Sequence, residues 1–346
     1  MKDMKLCVPR GITVREAMRR LDELYPKLLI LVDEANHLVG TLTDGDVRRF
    51  LLDGGKMDDA ALLAANCTPI TASSMEQAKQ VYSREEYFVI PIINDCGKLV
   101  DLFMGSQRFQ HAKERLNIPV IINAGGKGTR LDPYTRVLPK PLIPIGDMPI
   151  IEHIIRRFRE YGCEKFHVIA NYKKQLLKAY FSENEMQYDI DWHDEDKPLG
   201  TGGGLSLLRG KLNETFFFTN CDVLLSIDYA KLLAFHKENR NRITMVCAYK
   251  NLTIPYGVVK MGESGRIISM QEKPELSFLT NTGLYVVEPE TLEDVESGVA
   301  IGFPDIVEAQ RAKGYTVAAY PVSENDWLDM GQLKELERMK ARLHEE

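Results

Sequence analysis

The six cysteines of this 346-residue chain (Cys7, Cys67, Cys96, Cys163, Cys221 and Cys247) never fall into a Cys-x-x-Cys pair or a zinc-like spacing. That removes metal ribbons and dithiol redox motifs, and leaves reduced thiols of a cytoplasmic protein as the expectation. Excess positive charge is missing too. Forty-four Lys and Arg stand against 50 Asp and Glu, a net charge of −6, so no global field draws the chain to nucleic acid; a locally positive pocket stays open. No run approaches the roughly 18 apolar residues of a membrane span. The opening MKDMKLCVPRG lacks the apolar core of a secretion signal. Neither nucleic acid nor membrane is expected as a partner.

What the chain does have is length and apolar content, 44% hydrophobic residues, enough for more than one core. Its first third carries a weak repeat. LLILVDEANHLVGTL (28–42) is an apolar strand, a polar turn and a second strand, and YFVIPIINDCGKLVDLF (87–103) has the same rhythm. Helical periodicity precedes both copies, in TVREAMRRLDELY and SMEQAKQVYSRE. A single unit of this size cannot bury its own sheet face, so the copies (about 1–60 and about 61–110) are expected to pack as a pair. The polar stretch GSQRFQHAKERLNIP (105–119) marks a boundary near residue 116, giving domains 1–116 and 117–346.

Beyond the boundary, apolar strands alternate with amphipathic helices: PVIINA, PIIEHIIRRFREYG, KFHVIA, KKQLLKAYFSE, TFFFTNCD, YAKLLAFHKENR, ITMVCAYK. This alternation predicts an α/β fold with a mostly parallel sheet, whose ligands bind beyond the carboxyl ends of the strands. NAGGKGTR and TNCD fall there. Three glycines (Gly125, Gly126, Gly128) let backbone N–H groups converge on an anion. The string is neither a P-loop nor a dinucleotide fingerprint: Gly128 follows Lys127, and Leu131 stands where a third glycine would be. Arg130, Arg136 and Lys140 follow within eleven positions, with Lys140 stiffened between Pro139 and Pro141.

GGKGTRL…PKPLIPIGDMPIIEH resembles the signature of the sugar-phosphate nucleotidyltransferases, with PLGTGGGL, TNCD, YGVV, EKP, NTGLY and WLDMG following in the family's order over 118–335. The resemblance implies a Rossmann-like, GT-A-like sheet and transfer of a nucleotidyl group from an NTP to a sugar 1-phosphate, for surface glycan or glycoconjugate synthesis. It further implies that Ala124, Gly125, Gly126, Gly128 and Thr129 hold the NTP, with Gly200 and Thr201 near the base. Arg130 and Lys140 would be catalytic, and Asp222 and Asp329 would bind Mg²⁺. Gly257, Glu272, Lys273 and Asn281 would take the sugar phosphate. The small GTGG string is similar to guanylyltransferases acting on mannose-, heptose- or hexosamine-type phosphates, which favours GTP; UTP, dTTP and CTP stay open. Cys221 reads as a strand-end filler. Only a charged helix follows Gly331, so an acetyltransferase arm is not expected.

LVGTLTDGDVRR resembles the ligand end of a CBS motif, and the repeat a tandem α+β CBS pair. The likeness implies an adenine-nucleotide site at Thr43 and Asp46; VDLFMGSQRF in the second copy supplies neither residue. A dimerisation scaffold without ligand is the equal alternative, and a homo-oligomer is expected on both. The rival to an enzyme is a non-catalytic nucleotide-sensing regulator. Retention of Arg130, Lys140, Asp222 and Asp329 speaks for the enzyme.

Overall fold

The computed structural model describes residues 4–24, 26–85, 89–105, 114–183 and 187–331. Most of the polar boundary stretch and the charged segment after Gly331 lie outside the described residues. The described chain falls into two compact units: the first takes residues up to His111 together with Leu252–Ser277, the second Ala112–Asn251 and everything from Phe278.

In the first unit, β1 (Cys7–Pro9), α1 (Val14–Asp22), β2 (Leu28–Val32), β3 (Leu38–Thr43) and α2 (Asp44–Leu52) make the first copy of the repeat. Thr13 caps α1 by accepting the Glu16 amide at 3.2 Å, and Val14, Ala17 and Leu21 supply its buried face at helical spacing. The second copy is α3 (Met75–Glu85) with the antiparallel hairpin β4 (Val89–Ile93) and β5 (Leu99–Met104). The same turn chemistry recurs in both. Asp33 Oδ1 accepts the amides of Ala35 and His37, and Asn94 Oδ1 those of Cys96 and Lys98. The two turns meet, with Leu38 N donating to Gly97 O (3.0 Å) and Asn36 Nδ2 to Leu99 O (2.9 Å). Ile30 of one copy shares a core with Val89 and Leu102 of the other, as a unit too small to bury its own face requires.

The second unit is built on a seven-stranded sheet. Its strands, in chain order, are β6 (Val120–Ala124), β9 (Lys165–Ala170), β10 (Asp189–Asp194), β11 (Phe216–Asn220), β13 (Ile243–Thr253), β16 (Glu275–Val287) and β17 (Val317–Ser323). Two-residue strands β7 (Pro144–Ile145) and β8 (Met148–Pro149), β12 (Val223–Leu225) and β18 (Trp327–Asp329) lie off it, and so does a hairpin of the first unit, β14 (Val258–Met261) with β15 (Ile267–Gln271). The spatial order is β10-β9-β6-β11-β16-β13-β17, parallel from β10 to β11 and again between β13 and β17, with β16 antiparallel to β11.

Both faces of this sheet are covered, which explains the unbroken run Phe216-Phe217-Phe218 within TFFFTN. Phe217 joins Val120, Ile122, Phe158 and Tyr229 on one face, while Phe216 and Phe218 join Ile121, Tyr285 and Phe303 on the other. Helix α4 (Ile150–Arg159) buries Ile150, Ile151, Ile154, Ile155 and Phe158 in the first layer, and α5 (Phe303–Ala312) buries Phe303, Ile306 and Val307 in the second. The parallel strands β6, β9 and β11 therefore end at one rim, at Ala124, Ala170 and Asn220.

Candidate active site

At that rim β6 gives way to the glycine-rich turn. Gly128 sits at φ +67°, and a Cβ there would come within 2.9 Å of Thr135 Cγ2 and 3.1 Å of Lys140 Cβ, so the position admits only glycine without rearrangement. Thr135 Oγ1 donates to Gly128 O at 3.1 Å and fastens the turn to the following segment. Leu131 is fully buried in the sheet's core and anchors the turn's far end. The residue that spoils a dinucleotide fingerprint thus has a packing role. Pro139 leads into a short 3₁₀ turn, Lys140–Leu142, with Pro141 buried beneath it. This fixes the lysine's backbone.

Lys140 Nζ forms an ion pair with the carboxylate of Asp222, two residues beyond β11, and the side chains are only 12% and 14% exposed. Burial to that degree separates this pair from a surface ion pair. Asp329 comes from a hundred residues further along. Strand β18 pairs antiparallel with β12, setting Asp329 opposite Val223, and Met330 N donates to Asp222 O at 2.8 Å. Burial pushes the Asp329 carboxyl above the usual range, the nearby charge of Asp222 adds to this, and the Gly331 amide, Lys140 and Arg130 oppose it. Two acidic and two basic groups therefore share one polar cluster.

The cluster opens into a cavity of about 250 Å³ lined by Gly126, Gly128, Thr129, Arg130, Lys140, Thr201 and Asp222 among the residues picked out from the sequence. Gly125 and Ala124 lie directly before it, and Gly200 directly before Thr201. Thr201 is held from two sides: its Oγ1 accepts the Phe303 amide (3.0 Å) and its carbonyl accepts Asn123 Nδ2 (3.3 Å). Arg136 is turned elsewhere, in a bidentate pair with Asp132 (2.6 and 2.7 Å) at the exposed surface. Burial drives the Cys221 thiol up to about 12, which suits a filler and not a nucleophile.

The remaining sequence candidates are not on this cavity's lining. Asn281 spends its amide on Tyr285 Oη (2.6 Å) and its oxygen on the Gly283 N–H (3.0 Å). Gly257, Glu272 and Lys273 belong to the exposed 252–277 segment of the first unit. There Glu272 Oε2 lies 2.8 Å from where a Gly257 side chain would begin. Thr43 and Asp46 form a capping box at the start of α2: Asp46 N donates to Thr43 Oγ1, and Thr43 N and Oγ1 donate to Asp46 Oδ2.

Sequence reading passed over Asn123 and Asn220, which line the cavity, and Glu195, which does not line it but is buried against the glycine-rich segments. This residue is 3% exposed and wedged between the two glycine-rich segments, with one oxygen 2.6 Å from a would-be Cβ of Gly125 and the other 2.7 Å from that of Gly204. The Leu199 amide donates to its carboxylate, Oε1 has no hydrogen-bond partner, and burial raises its pKa. An unpartnered buried carboxylate oxygen is costly unless something donates to it. The signal was there in DEDKPLGTGGG, masked because a run of four charged residues looks like a solvated loop.

As for a metal, no group of three or more His, Cys, Asp or Glu able to hold one occurs among the described residues. Asp222 and Asp329 alone suit a hard divalent ion that keeps most of its coordination for phosphate and water, as Mg²⁺ does. Among the described residues no helix is long and apolar enough to cross a membrane.

Comparison with known proteins agrees with this geometry. A family profile described as nucleotidyl transferase matches residues 119–346, and a CBS domain profile matches residues 1–53. Mannose-1-phosphate guanylyltransferase of Mycobacterium tuberculosis is 32% identical over 237 residues, 65% of this chain and 64% of that protein. UTP–glucose-1-phosphate uridylyltransferase of Synechocystis is 29% identical over 62% of this chain and 60% of its own length. The chain thus spans somewhat less than two thirds of the length of these curated relatives. Among solved structures, HddC from Yersinia pseudotuberculosis superimposes with a TM-score of 0.52 at 20% identity, covering 65% of this chain and 99% of that one, a likeness of fold. The sheet, the glycine-rich turn and the profile match together place this chain in the nucleotidyl transferase family, with a CBS domain at its N-terminus.

Proposed function

We propose that this chain is a Mg²⁺-dependent sugar-1-phosphate nucleotidyltransferase that uses GTP and releases pyrophosphate. The observation that carries the reading is the buried cluster of Lys140, Asp222 and Asp329 beside a turn whose Gly128 stands at positive φ. In the reaction a phosphate oxygen of the sugar 1-phosphate attacks the α-phosphorus of the NTP, the bond to the β-phosphate oxygen breaks, and pyrophosphate leaves. No covalent bond to the protein is needed, so the protein's task is positioning and charge neutralisation. Amides of 125–129 and Arg130 take the β- and γ-phosphates. Lys140 meets the α-phosphate, where charge gathers. A divalent ion held by Asp222 and Asp329 would supply further neutralisation of the phosphates.

On the acceptor side, Lys273 takes the sugar's phosphate and Glu272 its hydroxyls, with Gly257 and Asn281 as further contacts. Guanine is favoured by Glu195. An ionised carboxylate accepts only, and guanine offers paired N1–H and N2–H₂ donors, whereas uracil and thymine offer one ring N–H. The guanylyltransferase names among the relatives and the small GTGG string point the same way. The N-terminal pair is read as a regulatory or oligomerising module, with adenine nucleotide at Thr43 and Asp46, in a cytoplasmic homo-oligomer whose product feeds glycan assembly.

The test is pyrophosphate release with Mg²⁺, crossing GTP, UTP, dTTP, CTP and ATP against hexose, hexosamine and heptose 1-phosphates. Turnover with GTP and one sugar class supports the reading in full. Nucleotide binding with no turnover on any acceptor would favour the non-catalytic regulator instead.

A further inference from the structure

Three arginines of α1 face three different fates. Arg15 pairs with Asp58 and Arg20 with Glu16, both inside the first copy of the repeat. Arg19 reaches instead into the 252–277 segment, where it forms an ion pair with Glu275. Glu275 directly follows Glu272-Lys273-Pro274, and this turn is unusual in two ways. Lys273 sits at φ +46°, a left-handed conformation that is unfavourable for a non-glycine residue and persists only when its surroundings hold it. Pro274 is buried although the strand before it is exposed throughout, and its carbonyl accepts the Ile254 amide at 3.0 Å. The turn is thus pinned on one side by Ile254 and on the other by Arg19.

We propose that Arg19, through Glu275, is a positioning residue for the Glu272-Lys273 turn, so that the N-terminal unit sets the affinity for the acceptor phosphate. The acceptor half of this inference rests on the proposed role of Lys273. Its physical half does not: the ion pair holds a left-handed lysine in place whatever that lysine binds. The coupling also gives the N-terminal repeat a direct mechanical hold on the acceptor side, since any change in the pitch or position of α1 moves Arg19.

The test uses the full chain carrying Arg19→Glu and the swapped pair Arg19→Glu/Glu275→Arg. Amide hydrogen exchange across 271–276 is expected to quicken in the single variant and to return in the swap. In parallel, KM for the sugar 1-phosphate should rise about 3- to 5-fold, the range an exposed ion pair supports, while KM for the NTP and kcat stay put. Unchanged exchange in Arg19→Glu overturns the proposal, as does altered exchange with an unaltered acceptor KM. Should the wild-type chain transfer to no sugar 1-phosphate, the functional reading fails, and the exchange data still decide whether Arg19 positions the turn.

Discussion

The glycine-rich turn of the second unit and the Thr43–Asp46 corner of the first look equally promising as sequence, and they are built in opposite ways. Around the turn, charged groups gather from far apart in the chain, Lys140 with Asp222 and Asp329 from a hundred residues on, and they open into a cavity. At the corner, everything is local. Thr43 and Asp46 satisfy each other and Arg49 closes the remaining carboxylate oxygen. The first arrangement concentrates charge drawn from distant segments, while in the second the groups proposed to meet a nucleotide also cap a helix. Two motifs of equal standing in the sequence thus rest on different kinds of structure, one assembled over long range and one local.

Substitutions can break that comparison. The largest effect is expected for Asp222→Asn, which should lower turnover on the order of 10³-fold or more with the thermal unfolding midpoint little changed. Near-normal pyrophosphate release in this variant would take Asp222 out of the site. A second contrast lies within the second unit, between its polar cluster and a buried pair of histidines. His193 bonds to His167 at 3.0 Å, and burial, with Lys211 nearby, depresses its pKa from 6.5 to about 4. The unfolded chain then takes up a proton near pH 6.5 that the folded one refuses until about pH 4. Stability should therefore hold above pH 6.5 and fall by on the order of 3 kcal/mol between pH 6.5 and 4, with a shallower slope in His193→Gln. Urea unfolding across that window measures it.

Glu195→Gln sharpens the reading of the base. Replacing one acceptor oxygen by an amide should cut the kcat/KM preference for GTP over UTP by about 10-fold, with the sugar KM unmoved. The smallest effect belongs to the corner: Thr43→Ala should cost about 1 kcal/mol of stability through the lost cap. Basal transfer should be unaltered. Adenine-nucleotide binding should weaken with the substitution, and unchanged binding would take Thr43 out of the proposed nucleotide site.

Much of this architecture was legible because its causes are local. Phe216, Phe217 and Phe218 run without a polar break since a central strand is buried on both faces, and the repeat is visible because Asp33 and Asn94 build the same turn. The parts that escaped reading depend on distant contacts. Nothing around WLDMG reveals that β18 lies against β12, and nothing in YGVV or EKP says that residues 252–277 pack with the N-terminal unit. Glu195 was hidden for a related reason: whether a charge in a polar stretch is buried depends on what folds over it.

That 252–277 belongs to the first unit has a consequence for how the protein can be made and cut. On a ribosome, the N-terminal unit emerges early yet lacks its last piece until residue 277 has left the exit tunnel, well after most of the sheet-forming strands. A truncation beginning at 117 would strip the Glu272-Lys273 turn of its Arg19 ion pair while leaving the turn in the chain, so the shortened protein would carry this segment without the residues it packs with.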